Sequence, residues 1–175
     1  MIPNRVLVTA AILAAVSCGS EKPVQPEPTP SDLIAAARGA PDGATYLVVT
    51  NVIVTFVKPA VGADPAGFFV QVERLGPALF IAVDPATLNQ VPIIGDEVSF
   101  TITTMSTAAA LRQATGIAGF QRTSQANSIG GLVQDVSNKA DLVSNVTGYE
   151  SEIVNVSGTA TSAFSAAGTG YRQAS

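Results

Sequence analysis

Enzymatic chemistry needs side chains that move protons, hold metals or attack carbon, and this chain has few of them. Among its 175 residues there is no His and one Cys, Cys18. Without His there is no Ser-His-Asp or Cys-His nucleophile and no His-ligated zinc. The carboxylates are scattered. Asp96-Glu97 is the adjacent pair, and its place after Gly95 reads as a solvated turn ahead of a strand. Glu150 and Glu152 alternate, a spacing that sets both on one face of a strand, where they would be solvated. Asp42-Gly43 and Asp64 read as turn residues, and no Asp-x-Asp-x-Asp-Gly calcium loop occurs. Gly130-Gly131 is not followed by the Gly-Lys-Ser/Thr of a phosphate loop. The many Ser and Thr hydroxyls have no base to activate them. Neither catalysis nor a cofactor is expected.

Composition narrows the class further. Charged residues make up 13%, about half of the usual ~25% for a soluble domain. At 47% hydrophobic residues, most of the chain is expected to fold rather than stay disordered. Nine Lys and Arg against 13 Asp and Glu give a formal charge of −4, and no basic run occurs. An acidic surface repels phosphate backbones, so nucleic acid is disfavoured as a partner.

The position of Cys18 is more informative than its number. Val6 to Val16 is an uncharged apolar run behind a single basic residue, Arg5. As a helix it would rise about 16 Å, too short for a hydrocarbon core of ~30 Å. That pattern predicts an export signal over residues 1–17 rather than a membrane span. Small residues then lead to Cys18 in Ala15-Val16-Ser17-Cys18-Gly19. A lone Cys here could be a free thiol, an interchain disulfide partner or a lipid-attachment site.

The stretch resembles a bacterial lipoprotein signal, whose box ends at the lipid-modified Cys. Ser17 fits that box, and Ala15 stands where a larger aliphatic is usual. The resemblance implies lipidation of Cys18 and a membrane as partner, through several acyl chains at about 0.8 kcal/mol per buried CH₂. An ordinary secretory signal is the alternative. Gly19 rather than Asp follows Cys18, which by resemblance to enterobacterial sorting rules implies the outer membrane. Loss of Arg5 with the leader would change the formal charge from −4 to −5. Residues 18–32 then form anchor and tether. Pro23, Pro26, Pro28 and Pro30 favour extended polyproline II, and Glu21 to Asp32 would reach on the order of 35 Å. An SH3-type ligand is the other reading of these prolines.

The body, residues 33–125, reads as strands and turns. Ser31 to Arg38 predicts a short helix capped by Ser31 or Asp32 and ended near Gly39. Thr45 to Lys58 is rich in Val and Thr and predicts a long strand. Gly67 to Arg74 alternates, with Phe68, Val70 and Val72 on one side and Phe69, Gln71 and Glu73 on the other. Ala78 to Val83 is the third strand. Asp84 to Gln90 reads as one helical turn, with Asp84 as cap and Pro85 in the first helical position. Glu97 to Ser106 follows, with Val98, Phe100, Ile102 and Thr104 opposite Ser99, Thr101, Thr103 and Met105. Gly116 to Arg122 is the last strand. The expected fold is mainly β: an OB-like five-stranded Greek-key barrel with a short helix between strands 3 and 4. An immunoglobulin-like sandwich is the alternative, with about seven strands and no such helix.

Val52-Ile53-Val54-Thr55, Gly67-Phe68-Phe69-Val70-Gln71, Leu79-Phe80-Ile81-Ala82-Val83 and Gly95-Asp96-Glu97-Val98 resemble the OB-type domains that accompany secreted bacterial nucleases and phosphoesterases. No catalytic domain of that kind is present within these residues. The resemblance therefore implies a binding or surface-assembly module, with an accessory subunit or truncated relative of such an enzyme as the alternative. OB folds bind on strands 2 and 3. The outward set there would be Phe69, Gln71, Glu73 and Phe80, with Arg74 at the strand end. A stacking aromatic beside Gln and Arg suits a sugar or a base, the other reading of Phe69 and Phe80 being cover for an internal helix, and the expected partner is a protein or glycan of the cell envelope.

The C-terminal part is expected to hold a connector, 126–147, with a short helix over Ser137 to Ser144, and extra strands over 148–175. Glu152 to Thr161 echoes Val48 to Thr55, with Asn155 against Asn51, Thr159 against Thr55 and Gly170-Tyr171 near the place of Gly67-Phe68. This points to the start of a second OB-like repeat in a longer protein, or to strands that pair onto the first domain. The lipidation reading predicts that Cys18→Ala moves the protein from the membrane to the soluble fraction; membrane fractionation unchanged by the substitution would overturn it.

Overall fold

The computed structural model describes residues 26–169 and 171–174. The expected signal peptide, Cys18 and the first part of the expected tether lie outside the described residues, as do Gly170 and Ser175. Helix α1, Pro30–Gly39, begins one residue earlier than the sequence predicts because its cap is Thr29. The Thr29 hydroxyl accepts from Asp32 N, and the Asp32 carboxylate accepts from Thr29 N at 2.9 Å. This reciprocal capping box satisfies two orphan donors of the first turn. Residues 30–32, expected as the end of the tether, are thus the first turn of this helix.

Five strands follow: β1 Gly43–Lys58, β2 Gly67–Gln71, β3 Ala78–Ile81, β4 Glu97–Ala108 and β5 Leu111–Ser124. They close into one barrel in the order β1-β2-β3-β5-β4. All pairings are antiparallel except β3 with β5, which run parallel. This is the expected OB-like Greek-key barrel. A sandwich would keep two separate sheets, and closure excludes it. Between β3 and β4 the chain makes a single 3-10 turn at Pro85–Thr87, capped by the Asp84 carboxylate on Ala86 N at 3.0 Å.

Residues pointing inward form one cluster. Phe68 packs edge-on against Phe100 and Phe120, and the latter two stack with centroids 6.4 Å apart. Ile34 and Ala37 of α1 join the same cluster and are fully buried. The inward aliphatics are β-branched at most positions of β1, where they fit a pleated surface.

Simple alternation fails at several register shifts, three of which decide the faces of Val52, Phe56 and Met105. In β1 the pairing with β4 shifts between Val49 and Val52, where Asn51 adopts φ +55°. Asn tolerates that left-handed conformation better than other side-chain-bearing residues. Both Val49 and Val52 thereby face inward. A second shift falls between Val54 and Phe56, at Thr55. In β4, shifts around Thr104 turn Met105 into the core, although alternation from Val98 places it on the opposite face. Each bulge adds one residue to one strand and reverses the parity beyond it.

The Asp96-Glu97 pair departs from the solvated turn that the sequence suggests. Asp96 is fully buried, accepts from Ile93 N at 2.9 Å and pairs with Arg122 Nε at 2.7 Å. The turn folds back on β1, with Val54 N donating to Asp96 O and Gly95 N to Val54 O. Gly95 has φ +86°, and a Cβ there would meet Asn127 O at 2.7 Å.

Among the described residues the C-terminal part forms two two-stranded sheets and no second barrel. Ser137 to Ser144 makes turns rather than a helix. Asp135 accepts from Ser137 N, and Asp141 holds Asn145 and the Tyr149 hydroxyl, side-chain bonds that compete with helix formation. Strand β6, Gln134–Asp135, pairs in parallel with β7, Val154–Asn155. These two residues are all the strand that the echo of Val48 to Thr55 contains. Strands β8, Ser165–Gly168, and β9, Tyr171–Gln173, form a separate hairpin whose Tyr171 hydroxyl reaches Asp64.

Gly67 opens β2, and the Phe80 ring on β3 lies across it; a Cβ at Gly67 would meet Phe80 Cε2 at 2.5 Å and also the Ile81 carbonyl. Gly67→Ala is therefore expected to lower unfolding free energy by about 2–3 kcal/mol through overpacking. Urea denaturation would measure this, and a loss within experimental error would refute the close approach.

Candidate functional site

The pairing of β2 with β3 sets Phe69 opposite Phe80 on the outside of the barrel. Their rings stack with centroids 4.6 Å apart and planes 25° apart. Across β1, Phe56 pairs with Phe69, with centroids 6.2 Å apart. Three aromatics thus run in a row over β1, β2 and β3. Phe56 escapes a reading by alternation because Val52 and Val54 face inward, so parity would bury it as well. The bulge at Thr55 reverses that parity, and Phe56 is 49% exposed.

The outward face of strands 2 and 3 exists, but it is not open. Gln71 is fully buried and Phe80 is 2% exposed. Neither belongs to the cluster inside the barrel, so their cover comes from outside. For Gln71 that cover is visible. Its amide donates to Glu73 O at 2.7 Å and to Leu132 O at 3.3 Å, and its Oε1 accepts from Ile153 N at 2.9 Å. The residues read as a connector and extra strands therefore form a strap over this face. β6 and β7 hold the two arms together, and Gln134 N donates to Ile153 O at 3.2 Å. Gln71 is a clamp for the strap rather than a ligand contact. Glu73 and Arg74 lie beyond the end of β2, are exposed and do not join the aromatic row. The expected grouping of a stacking ring with Gln71 and Arg74 does not form, because Gln71 is occupied and β2 stops before Arg74.

Arg38, in the last turn of α1, ties the strap from another direction. Its guanidinium donates to Ala78 O, Thr147 O and Glu150 O, and pairs with Glu150 Oε2 at 3.1 Å. The second Glu150 oxygen accepts from Arg112 N at 2.7 Å. Arg112 continues the network to Asp42 and to the Arg38 and Ala40 carbonyls. Glu150 and Glu152 are thus not two solvated carboxylates. Glu150 is engaged through both oxygens, while the Glu152 carboxylate has no hydrogen-bond partner among the described residues. Burial pushes the Glu152 carboxyl above its ordinary value of 4.5, and the charge of Arg38 opposes that shift.

Between strap and barrel lies an open cleft of about 410 Å³. Thr55, Phe56 and Phe69 line the barrel side, and residues 151–154 line the other. Ser151 holds φ +66°, and its hydroxyl is buried without a partner among the described residues. Such a conformation costs on the order of 1 kcal/mol or more and persists only where surroundings impose it. A second, more apolar cleft of about 430 Å³ lies between the β4–β5 turn and the strap, and Ser151 and Val154 line both. Among the described residues no three of His, Cys, Asp and Glu converge as metal ligands would. No helix among them is long and apolar enough to cross a membrane. Comparison of the chain with family models, with curated proteins and with solved structures finds no match.

The strap rests on Gln71, so Gln71→Ala removes its partners at Leu132 O and Ile153 N. Protection of strap amides over residues 130–155 should fall by about 1–3 kcal/mol, the usual cost of orphaned buried groups. Hydrogen exchange in β1, β4 and β5 should stay unchanged, and equal loss in strap and barrel would argue against a separate strap.

Proposed function

We propose that this chain is an exported, lipid-anchored module of the bacterial cell envelope that acts by binding rather than by catalysis. The apolar run before Cys18, the lipobox-like residues and the Pro-rich tether support export and anchoring. The absence of Asp after Cys18 favours the outer membrane. The acidic charge of −4 argues against a nucleic-acid partner.

The observation that carries the binding reading is the cleft between strap and barrel. Its size falls in the range of roughly 300–1,000 Å³ typical of small-ligand sites. It joins two aromatic side chains to a few polar groups, the composition by which such sites combine burial with orientation. The strap occupies Gln71 and the Phe69 ring lies on Phe80, so the ordinary OB face is replaced here by this neighbouring cleft. An envelope glycan, a small molecule or a side chain of a protein partner are the occupants that such a cleft suits.

Titration of the labelled native lipoprotein in detergent micelles with small aromatic fragments, neutral, cationic and anionic, tests this reading. Amide shifts are expected to gather at residues 55–56, 69 and 151–154. If no fragment at about 1 mM, a concentration that detects even weak ligands, moves those resonances, binding at the cleft is wrong.

A further inference from the structure

The two strap glutamates stand two residues apart and do different things. Glu150 spends both oxygens on Arg38 and Arg112, and that closes the strap against α1 and the β4–β5 hairpin. Glu152 lines the cleft and is the only charged residue among those that do. It is half-buried, and among the described residues no hydrogen bond reaches its carboxylate. Arg38 supplies a field at Glu152, but its two terminal nitrogens donate to Glu150 and to the carbonyls of Ala78 and Thr147. A half-buried carboxylate without a partner is a costly group, and a bound counter-charge relieves that cost.

The wall opposite has the same preference. Phe56 and Phe69 line the cleft, and an aromatic ring attracts cations through the negative potential of its face. Phe80 stacks on Phe69 and fixes its ring. Nothing that lines the cleft is positively charged, so an anion would find no partner. A neutral ligand could bury apolar surface but would leave Glu152 further desolvated. The buried Ser151 hydroxyl, held beside Glu152 by a left-handed backbone, is a further polar group without a partner at this wall.

We infer that the cleft is a site for an organic cation: an ammonium or guanidinium on an apolar stem, its charge at Glu152 and its stem against Phe56 and Phe69. The inference rests on the cleft being the binding site proposed above, and it adds the charge and shape of the ligand. A free amine and the basic side chain of a peptide share this chemistry.

The test uses the full lipidated chain in neutral detergent micelles, with benzylammonium, its neutral near-isostere benzyl alcohol, benzoate, and Nα-acetyl-arginine amide as probes. Binding is read from shifts of the cleft amides. Benzylammonium is expected to bind about tenfold tighter than benzyl alcohol, in keeping with one charge pair plus ring contact. Benzoate should not bind. In Glu152→Gln that preference should fall below about twofold, while benzyl alcohol keeps its affinity. Phe56→Ala, at an exposed position, should weaken benzylammonium about threefold or more. Unchanged resonances of β4 and β5 would establish that both variants are folded. Tighter binding of the arginine amide places the natural cation on a peptide, and tighter binding of benzylammonium places it on a free amine. Equal affinity for benzylammonium and benzyl alcohol, or a preference that survives Glu152→Gln, overturns the cation inference and leaves the cleft as a neutral site. Failure of all four probes at the cleft overturns both.

Discussion

The barrel closes through a seam of two residue pairs. Phe80 faces Gln113 and Ile81 faces Ala114 where β3 meets β5 in parallel, and Ala82 N adds a bond to Ala114 O at 2.8 Å. Without this seam β3 and β5 would be free edges, and the aromatic trio Phe68, Phe100 and Phe120 would lose its enclosure. Closure removes the edges that an open sheet must otherwise protect. It also curves β1, β2 and β3 so that their outer sides form one continuous surface. The row of Phe56, Phe69 and Phe80 exists because those three strands are held in that order and register.

That outer surface is the second level of organisation. A row of aromatic rings on the outside of a small barrel is an apolar patch of the kind that usually marks contact with something else. Here the first thing it contacts is the chain itself. Gln71 stands in the same face and offers one donor group and one acceptor, and the strap meets both with Leu132 O and Ile153 N. Backbone-to-amide bonds of this type fix position as well as supply energy, because an orphaned partner would be buried. The strap covers Gln71 and leaves Phe56 half-exposed, so the remaining opening is a cleft rather than a face.

Charge is used sparingly, and three ion pairs tie elements together. Asp96 is bound to Arg122, Asp42 to Arg112 and Glu150 to Arg38. The Asp96–Arg122 pair holds the β3–β4 connection to the end of β5, and Arg38 and Arg112 link α1, the β4–β5 hairpin and the strap. The side-chain bond from Arg112 holds the Asp42 carboxyl below its ordinary value, and a bond from the Tyr149 hydroxyl does the same for Asp141. Against this pattern Glu152 stands apart, since it alone is both partly buried and without a hydrogen-bonded partner among the carboxylates at the strap. The difference between Glu150 and Glu152 is positional. One points to the arginines and the other to the aromatic row.

Strand order, the helical turn after Asp84 and the inward faces of β2 and the start of β4 were legible in the sequence. Those features depend on neighbours in the chain: β-branched runs, alternation, and Pro or Gly at turns. They led to an OB-like barrel, and Phe69 and Phe80 could be assigned to its outer face from parity alone. Three things were not legible. Bulges at Asn51, Thr55 and Thr104 reverse parity by one residue each, and nothing local distinguishes a bulged Thr from a paired one. The burial of Asp96 depends on Arg122, which is far from it in the chain. The strap has only two residues in each of its strands, too few for any periodic signal, and it is held by side-chain bonds from the distant residues Gln71 and Arg38. Local pattern thus determined what each segment becomes. Which outer surface is covered, which carboxylate keeps no partner and where a cleft remains were decided by contacts between residues distant in sequence, because those contacts exist only once the barrel has closed.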